Sequence, residues 1–109
     1  MFLQLNHQKL NIYMIARSFV KECYLATKKF PPEERFALTQ QIRRAGISVY
    51  LNIAEGCSRK SLLERKRFFE LSRGSLIEID AAIDITEDLN YCSKESLTQL
   101  GEYLVRCLV

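Results

Sequence analysis

Helix breakers are scarce in this chain. Four glycines and two prolines are spread over 109 residues, fewer than an average chain of this length carries. Few breakers allow few turns. Long helices are the natural expectation, and a β-sandwich needing six or more turns is not expected.

Three breaks divide the sequence. Phe30-Pro31-Pro32 is the first. A residue before proline is pushed out of helical geometry, and proline suits a first helical turn. Glu33 and Glu34 come next, where carboxylates favour the positive end of a helix. Gly56-Cys57-Ser58-Arg59-Lys60 is the second break, with Gly56 suited to a left-handed stop. Ser61 with Glu64 three residues on reads as a capping box. Asn90-Tyr91-Cys92-Ser93 is the third, Asn90 taking the left-handed stop and Ser93 capping the last segment. The predicted segments are about 7–29, 33–56, 61–89 and 94–109, the first three about 35–40 Å long.

Apolar and small residues recur at alternating steps of three and four. In the first segment they are Tyr13, Ala16, Val20, Cys23, Thr27 and Phe30. The second carries Thr39, Ile42, Gly46, Val49 and Ile53, and the third Phe69, Ser72, Leu76, Ile79, Ile83 and Thr86. Such seams pack helices at small crossing angles. Short connections make consecutive helices antiparallel. The expected fold is all-α, an up-down-up-down four-helix bundle forming a single domain over residues 1–109. Two interior glycines each cost about 1 kcal/mol against alanine. An antiparallel register sets Gly46 against Ser72, Gly74 and Ser75, predicting a close crossing there.

Residues 45–54 hold only two polar side chains, Ser48 and Asn52, on one stripe. A helix apolar nearly all round is normally buried nearly all round. With Gly46, Val49 and Ile53 on the internal seam, Ile47, Tyr50, Leu51 and Ala54 are left over. That surplus predicts a homo-oligomer interface, unless helix rotation or Met1–Leu5 covers it.

The net charge is only +3, but it is unevenly spread. Arg43, Arg44, Arg59, Lys60, Arg65, Lys66, Arg67 and Arg73 face three acids over the same stretch. From Gly74 to Asn90 five acids stand with no base. Basic residues at the start of the third helix oppose its dipole, so helix stability does not account for them. They read as a phosphate-facing end for RNA or another nucleic acid, or as partners for acids of a neighbouring subunit. No aromatic-rich RNA-binding strand, zinc finger or basic zipper accompanies them, so base-specific reading is not indicated.

Other chemistry is sparse. His7 is the only histidine, too few for a di-iron bundle or a zinc hydrolase. No phosphate loop or nucleophile elbow is present. The expectation is a non-enzymatic protein with no cofactor and no metal. Cys23, Cys57, Cys92 and Cys107 form no Cys-x-x-Cys pair, and free thiols in a reducing compartment are expected. The longest apolar run, Ile12–Ala16, is far short of a membrane span, and no export signal is seen.

Several stretches carry a resemblance. Leu10-Asn11-Ile12-Tyr13 with Ala16-Arg17, Thr27-Lys28-Lys29-Phe30-Pro31 and Glu33-Glu34-Arg35-Phe36 resemble the first half of the 23S ribosomal RNA intervening-sequence proteins. The likeness is strongest at Gln41-Ile42-Arg43-Arg44-Ala45, Asn52-Ile53-Ala54-Glu55-Gly56 and Arg73-Gly74-Ser75-Leu76-Ile77-Glu78. It implies a left-handed four-helix bundle, a ring-like homopentamer and a bacterial cytoplasmic protein. It also implies kinship with the accessory protein of diversity-generating retroelements, a basic pentamer that binds nucleic acid and a reverse transcriptase. The family offers no catalytic residues to carry over. Arg43, Arg44 and Arg73 fall at its motif positions. Related sequences tend to have proline where Tyr50 stands, so a less kinked second helix is expected. A homo-oligomeric scaffold that docks a partner protein is the alternative function.

Overall fold

The computed structural model describes residues 5–108. Among them are four α-helices and no strand, compatible with a four-helix bundle: α1 (His7–Thr27), α2 (Leu38–Ser58), α3 (Leu62–Asp88) and α4 (Thr98–Arg106). Single 3₁₀ turns at Pro32–Glu34 and Glu95–Leu97 precede α2 and α4. The body measures 43 × 21 × 21 Å.

Helix ends follow the local chemistry, with two departures. Asn6 caps α1 by accepting from Lys9 N, and Ser61 caps α3 by accepting from Glu64 N. Asn90 alone among the described non-glycine residues has a positive φ, 59°, as a left-handed stop requires. Ser93 accepts from Ser96 N and so caps the turn that leads into α4. The first departure is the start of α2. Pro32 opens only a 3₁₀ turn, Ala37 then leaves helical geometry at φ −124°, and α2 begins at Leu38 rather than near Pro32. Glu34 serves as its remote cap, accepting from Leu38 N. The second is Gly56. No glycine has positive φ among the described residues, so α2 runs two residues past it to Ser58.

Side-chain pairs set the register. Tyr13 bonds Tyr50, and Arg43 bonds Thr27, tying α1 to α2. Ser72 donates to Val49 O and Gln41 to Glu78, tying α2 to α3. The α2–α3 contact is the most extensive, α1 lies on α2, α4 lies on α1, and α3 barely meets α4.

The core contains Ala16, Phe19 and Cys23 of α1, Ile42, Val49 and Ile53 of α2, Leu76 and Ile79 of α3, and Leu100, Leu104 and Cys107 at the C-terminal end. All five seam positions expected on α2 are buried. On α1, Phe19 is fully buried while Val20 is half-buried, and on α3 Ala82 is buried while Ile83 is half-buried. The polar core residues are satisfied within the fold: Thr27 and Thr86 donate to the carbonyls of Cys23 and Ala82.

The crossing predicted at Gly46 is corrected. A Cβ at Gly46 would sit 3.0 Å from Sγ of Cys23, so this glycine lets α1 approach α2. Gly74 has nothing within 4 Å of its Cβ position. The tight α2–α3 approach occurs instead at Gly56, where a Cβ would lie 2.6 Å from the Phe69 ring. Gly56→Ala must therefore displace Phe69. Its expected cost is about 1–3 kcal/mol, read as a lower melting temperature. Gly56→Ala with Phe69→Leu should regain part of the loss.

The four cysteines are free thiols. Burial pushes Cys23 and Cys107 up to about 12, and it raises Cys57 and Cys92 as well. A thiol held protonated in the fold resists alkylation, because the thiolate is the nucleophile. At pH 8 iodoacetamide should modify half-buried Cys92 well before Cys23 and Cys107. The folded pKa of the latter pair lies above the ordinary thiol value. Their contribution to stability is therefore full below about pH 8.5 and falls as pH rises from there towards 12. The urea midpoint should decline over that window.

Candidate nucleic-acid interface

The eight basic residues do not form one site. Arg43 is half-buried and fastens α2 to α1: its Nε donates to Thr27 Oγ1 at 2.7 Å, and its guanidinium lies 4.6 Å from the centre of the Tyr24 ring. It stands apart from the basic residues of the α2–α3 connection. Arg44 is exposed, but it lies about 22 Å along α2 from Arg59. It lines three other surface hollows, one with Gln41, Ser48, Ser75 and Glu78, one with Ile47 and Leu51, and one with Arg35, Phe36 and Arg43.

Five of the remaining six converge where α2 hands over to α3, and the sixth, Arg73, extends the row along α3. Arg59 and Lys60 occupy the connection, Arg65, Lys66 and Arg67 the first turns of α3, and Arg73 lies farther along the same helix. Short-range contacts organise them. Arg65 Nε donates to the Arg59 carbonyl at 2.6 Å, closing the end of α2 against α3. Arg59 pairs with Glu55 at 2.9 Å and Arg67 with Glu64 at 3.7 Å. These exposed pairs add little stability. Phe68 holds two cations together: the guanidinium carbons of Arg59 and Arg67 lie 5.0 and 5.3 Å from its ring centre. Lys60, Lys66 and Arg73 are exposed and make no ion pair or cation–π contact among the described residues.

A groove of about 630 Å³ runs along this part of α3, lined by Leu62, Arg65, Lys66, Phe69, Glu70 and Arg73. Leu62 and Phe69 give it an apolar lining, and three cations, Arg65, Lys66 and Arg73, outnumber one carboxylate, Glu70. Neither Phe68 nor the groove was legible as a site beforehand: Phe69 read as a seam residue, and no pattern singled out Phe68. Leu62 in this lining and the neighbouring Leu63 are 78% and 77% exposed.

The profile of the 23S rRNA-intervening sequence protein family matches residues 8–108. This chain belongs to that family. Within this member of the family, Arg43 of the Gln-Ile-Arg-Arg-Ala stretch has a packing role, and Gly56, closing Asn-Ile-Ala-Glu-Gly, makes room for Phe69. Tyr50, where the resemblance leads one to expect proline, continues an unbroken α2 and hydrogen-bonds Tyr13, with ring centres 5.0 Å apart. No match is found among curated proteins.

The surplus apolar face of α2 is smaller than expected. Tyr50 is half-buried against α1 and Ala54 is also half-buried, so neither is left over. Ile47 and Leu51 are exposed, at 38% and 54%. The cover considered for this face, Met1–Leu5, lies outside the described residues except for Leu5. Ser48 and Asn52 satisfy each other and α3: Asn52 Nδ2 donates to Ser48 O at 2.8 Å, and Ser75 Oγ lies 3.0 Å from Ser48 Oγ. Among the described residues no helix is long and apolar enough to cross a membrane.

Proposed function

We propose that this protein is a non-enzymatic, cytoplasmic RNA-binding bundle that works as a homo-oligomer, its helices connected up-down-up-down with a left-handed twist. The pentameric ring implied by the family resemblance is the assembly put forward. The observation that carries the reading is the clustering of Arg59, Lys60, Arg65, Lys66 and Arg67 at the α2–α3 end of the molecule, with Arg73 two turns beyond Lys66 in the same groove. The other half of α3 carries only acids. A polyanion would therefore meet the molecule at one end, and ring assembly would repeat that end.

Binding of this kind rests on neutralising phosphates and releasing counterions. Fluorescence anisotropy with a labelled single-stranded RNA should show little dependence on sequence. Affinity should fall at least tenfold between ~50 and ~200 mM salt. Absence of binding at low salt overturns the reading.

A scaffold reading is favoured by one observation, the near-complete exposure of Leu62 and Leu63 at the basic end. Exposed leucines of this kind suit a protein partner better than phosphate. A protein partner held there by apolar contact would stay bound as salt rises.

A further inference from the structure

We infer that the hollow between the end of α1 and the start of α2 binds a single phosphorylated nucleoside, its base stacked on Phe36 and its phosphate held by Arg35, Arg43 and Arg44. The site lies at the opposite end of α2 from the α2–α3 connection. It does not rest on the RNA reading above.

The hollow measures about 300 Å³ and is lined by Tyr24 of α1, by Arg35 and Phe36 of the connection, and by Gln40, Arg43 and Arg44 of α2. Three cations line it and no carboxylate does. Among the described residues the two ion pairs are Arg59–Glu55 and Arg67–Glu64, so none of the three arginines is neutralised within the chain. The nearby acids are engaged elsewhere or stand outside the lining. Glu34 accepts from Leu38 N with Oε1 and from Tyr91 Oη with Oε2. Glu78, which shares the adjoining hollow with Arg44, accepts from Gln41. Glu33 is exposed on the 3₁₀ turn and does not line the hollow.

Rings and arginines are set in pairs here. The Arg35 guanidinium lies 5.1 Å from the centre of the Phe36 ring, and that of Arg43 lies 4.6 Å from the centre of Tyr24. Phe36 is still 79% exposed, the most exposed large apolar side chain among the described residues. A lone wet phenylalanine is ordinary. One set among three arginines with no acid beside it presents a flat apolar surface next to phosphate-binding forks. A nucleobase fits the first, because any base stacks on an aromatic ring, and its phosphate fits the second. Arg43 spends Nε on Thr27 and keeps its Nη donors. Gln40 is exposed and offers both a donor and an acceptor to a base edge or a ribose hydroxyl. A bare phosphate or a phosphorylated side chain would leave that amide unused. The acidic half of α3 ends at the same end of the bundle, where Tyr91 just beyond it bonds Glu34. Those acids repel a long polyanionic strand, and one small anion inside the hollow meets far less of their field.

The test is isothermal titration of the full chain with adenosine monophosphate (AMP), beside adenosine, inorganic phosphate and phenyl phosphate. AMP should bind with a Kd on the order of 0.1–1 mM, and adenosine and phosphate each at least about tenfold more weakly. Phe36→Ala should weaken AMP binding roughly 5- to 100-fold, the worth of one stacked base, and Phe36→Tyr should keep it within about twofold of the wild type. Arg44→Glu should weaken AMP at least about tenfold while changing adenosine less than about twofold. Phe36 and Arg44 are exposed, so these variants should keep the wild-type melting curve by circular dichroism. Lack of saturable AMP binding overturns the proposal, and so does AMP binding indifferent to Phe36→Ala. Phenyl phosphate bound more tightly than AMP would assign the hollow to a phosphorylated side chain and overturn it. Single-stranded RNA weakened by Phe36→Ala, with AMP not bound, would assign the hollow to an RNA chain and overturn it too. Failure of the α2–α3 reading appears separately, as RNA that does not bind at low salt.

Discussion

Replacing Lys60, Lys66 and Arg73 together by glutamate should reduce affinity for single-stranded RNA on the order of 10²–10³-fold near 0.1 M salt. It should also flatten the salt dependence by about three contacts. These three are chosen because they are exposed and make no ion pair or cation–π contact among the described residues. Their reversal therefore spares the fold. Arg59 and Arg65 would be poor choices. Arg65 donates to the Arg59 carbonyl, and Arg59 bears on both Glu55 and Phe68, so losing them would disturb the α2–α3 connection itself. Lys94→Glu makes the same kind of charge change in the connection to α4, at the other end of α3, and should leave binding within about twofold once screening is considered. Anisotropy titrations at several salt concentrations check both. Equal losses from Lys94→Glu and from the triple variant would mean that overall charge, and not the basic end, sets the affinity.

Phe19→Ala should be the most damaging single substitution in the bundle. Phe19 is fully buried at the centre of the core cluster. Truncating a buried phenylalanine costs about 3–5 kcal/mol, the lost transfer energy plus an unfilled cavity. Domains of this class have total stabilities of roughly 5–15 kcal/mol. The melting temperature should fall by roughly 15–30 °C, taking about 4–8 °C per kcal/mol. Val20→Ala, at a half-buried neighbour, should cost about 1 kcal/mol. Thermal circular dichroism at one protein concentration compares the two. A larger loss from Val20→Ala would mean that α1 is rotated by one residue from the orientation described.

The same pair of residues marks where local pattern stops being informative. Alternating steps of three and four place Val20 in the seam of α1 and Ile83 in that of α3. Phe19 and Ala82 are buried in their place. The expected seam residues on either side, Ala16 and Cys23 on α1 and Ile79 and Thr86 on α3, are buried. Steps of three then four and of four then three span the same seven residues, so periodicity does not choose between Phe19 and Val20 or between Ala82 and Ile83. On α2 no such slip occurs, and each of its five expected seam residues is buried. The basic cluster divides in the same way. Lys60, Lys66 and Arg73 are exposed as charge patterning suggests, while Arg43, four residues from Ile47 on a continuous helix, turns inward to Thr27 and Tyr24. Nothing in the local sequence separates Arg43 from Arg44.

What residue order decided by itself were the properties that depend on neighbours along the chain. These are the helical class, the positions of the connections, the Ser61 and Asn90 termini, and the split of α3 into a basic and an acidic half. A few breakers, two caps and a run of like charges act over one or two turns, and no tertiary contact is needed to read them. Tertiary packing decided what each glycine accommodates: Cys23 at Gly46, the Phe69 ring at Gly56, and open space at Gly74. It also decided which arginines are free and which apolar side chains remain wet. Those outcomes depend on how far each helix is turned about its axis against its neighbours. A rotation of a few tens of degrees exchanges one buried side chain for the next without altering any local preference.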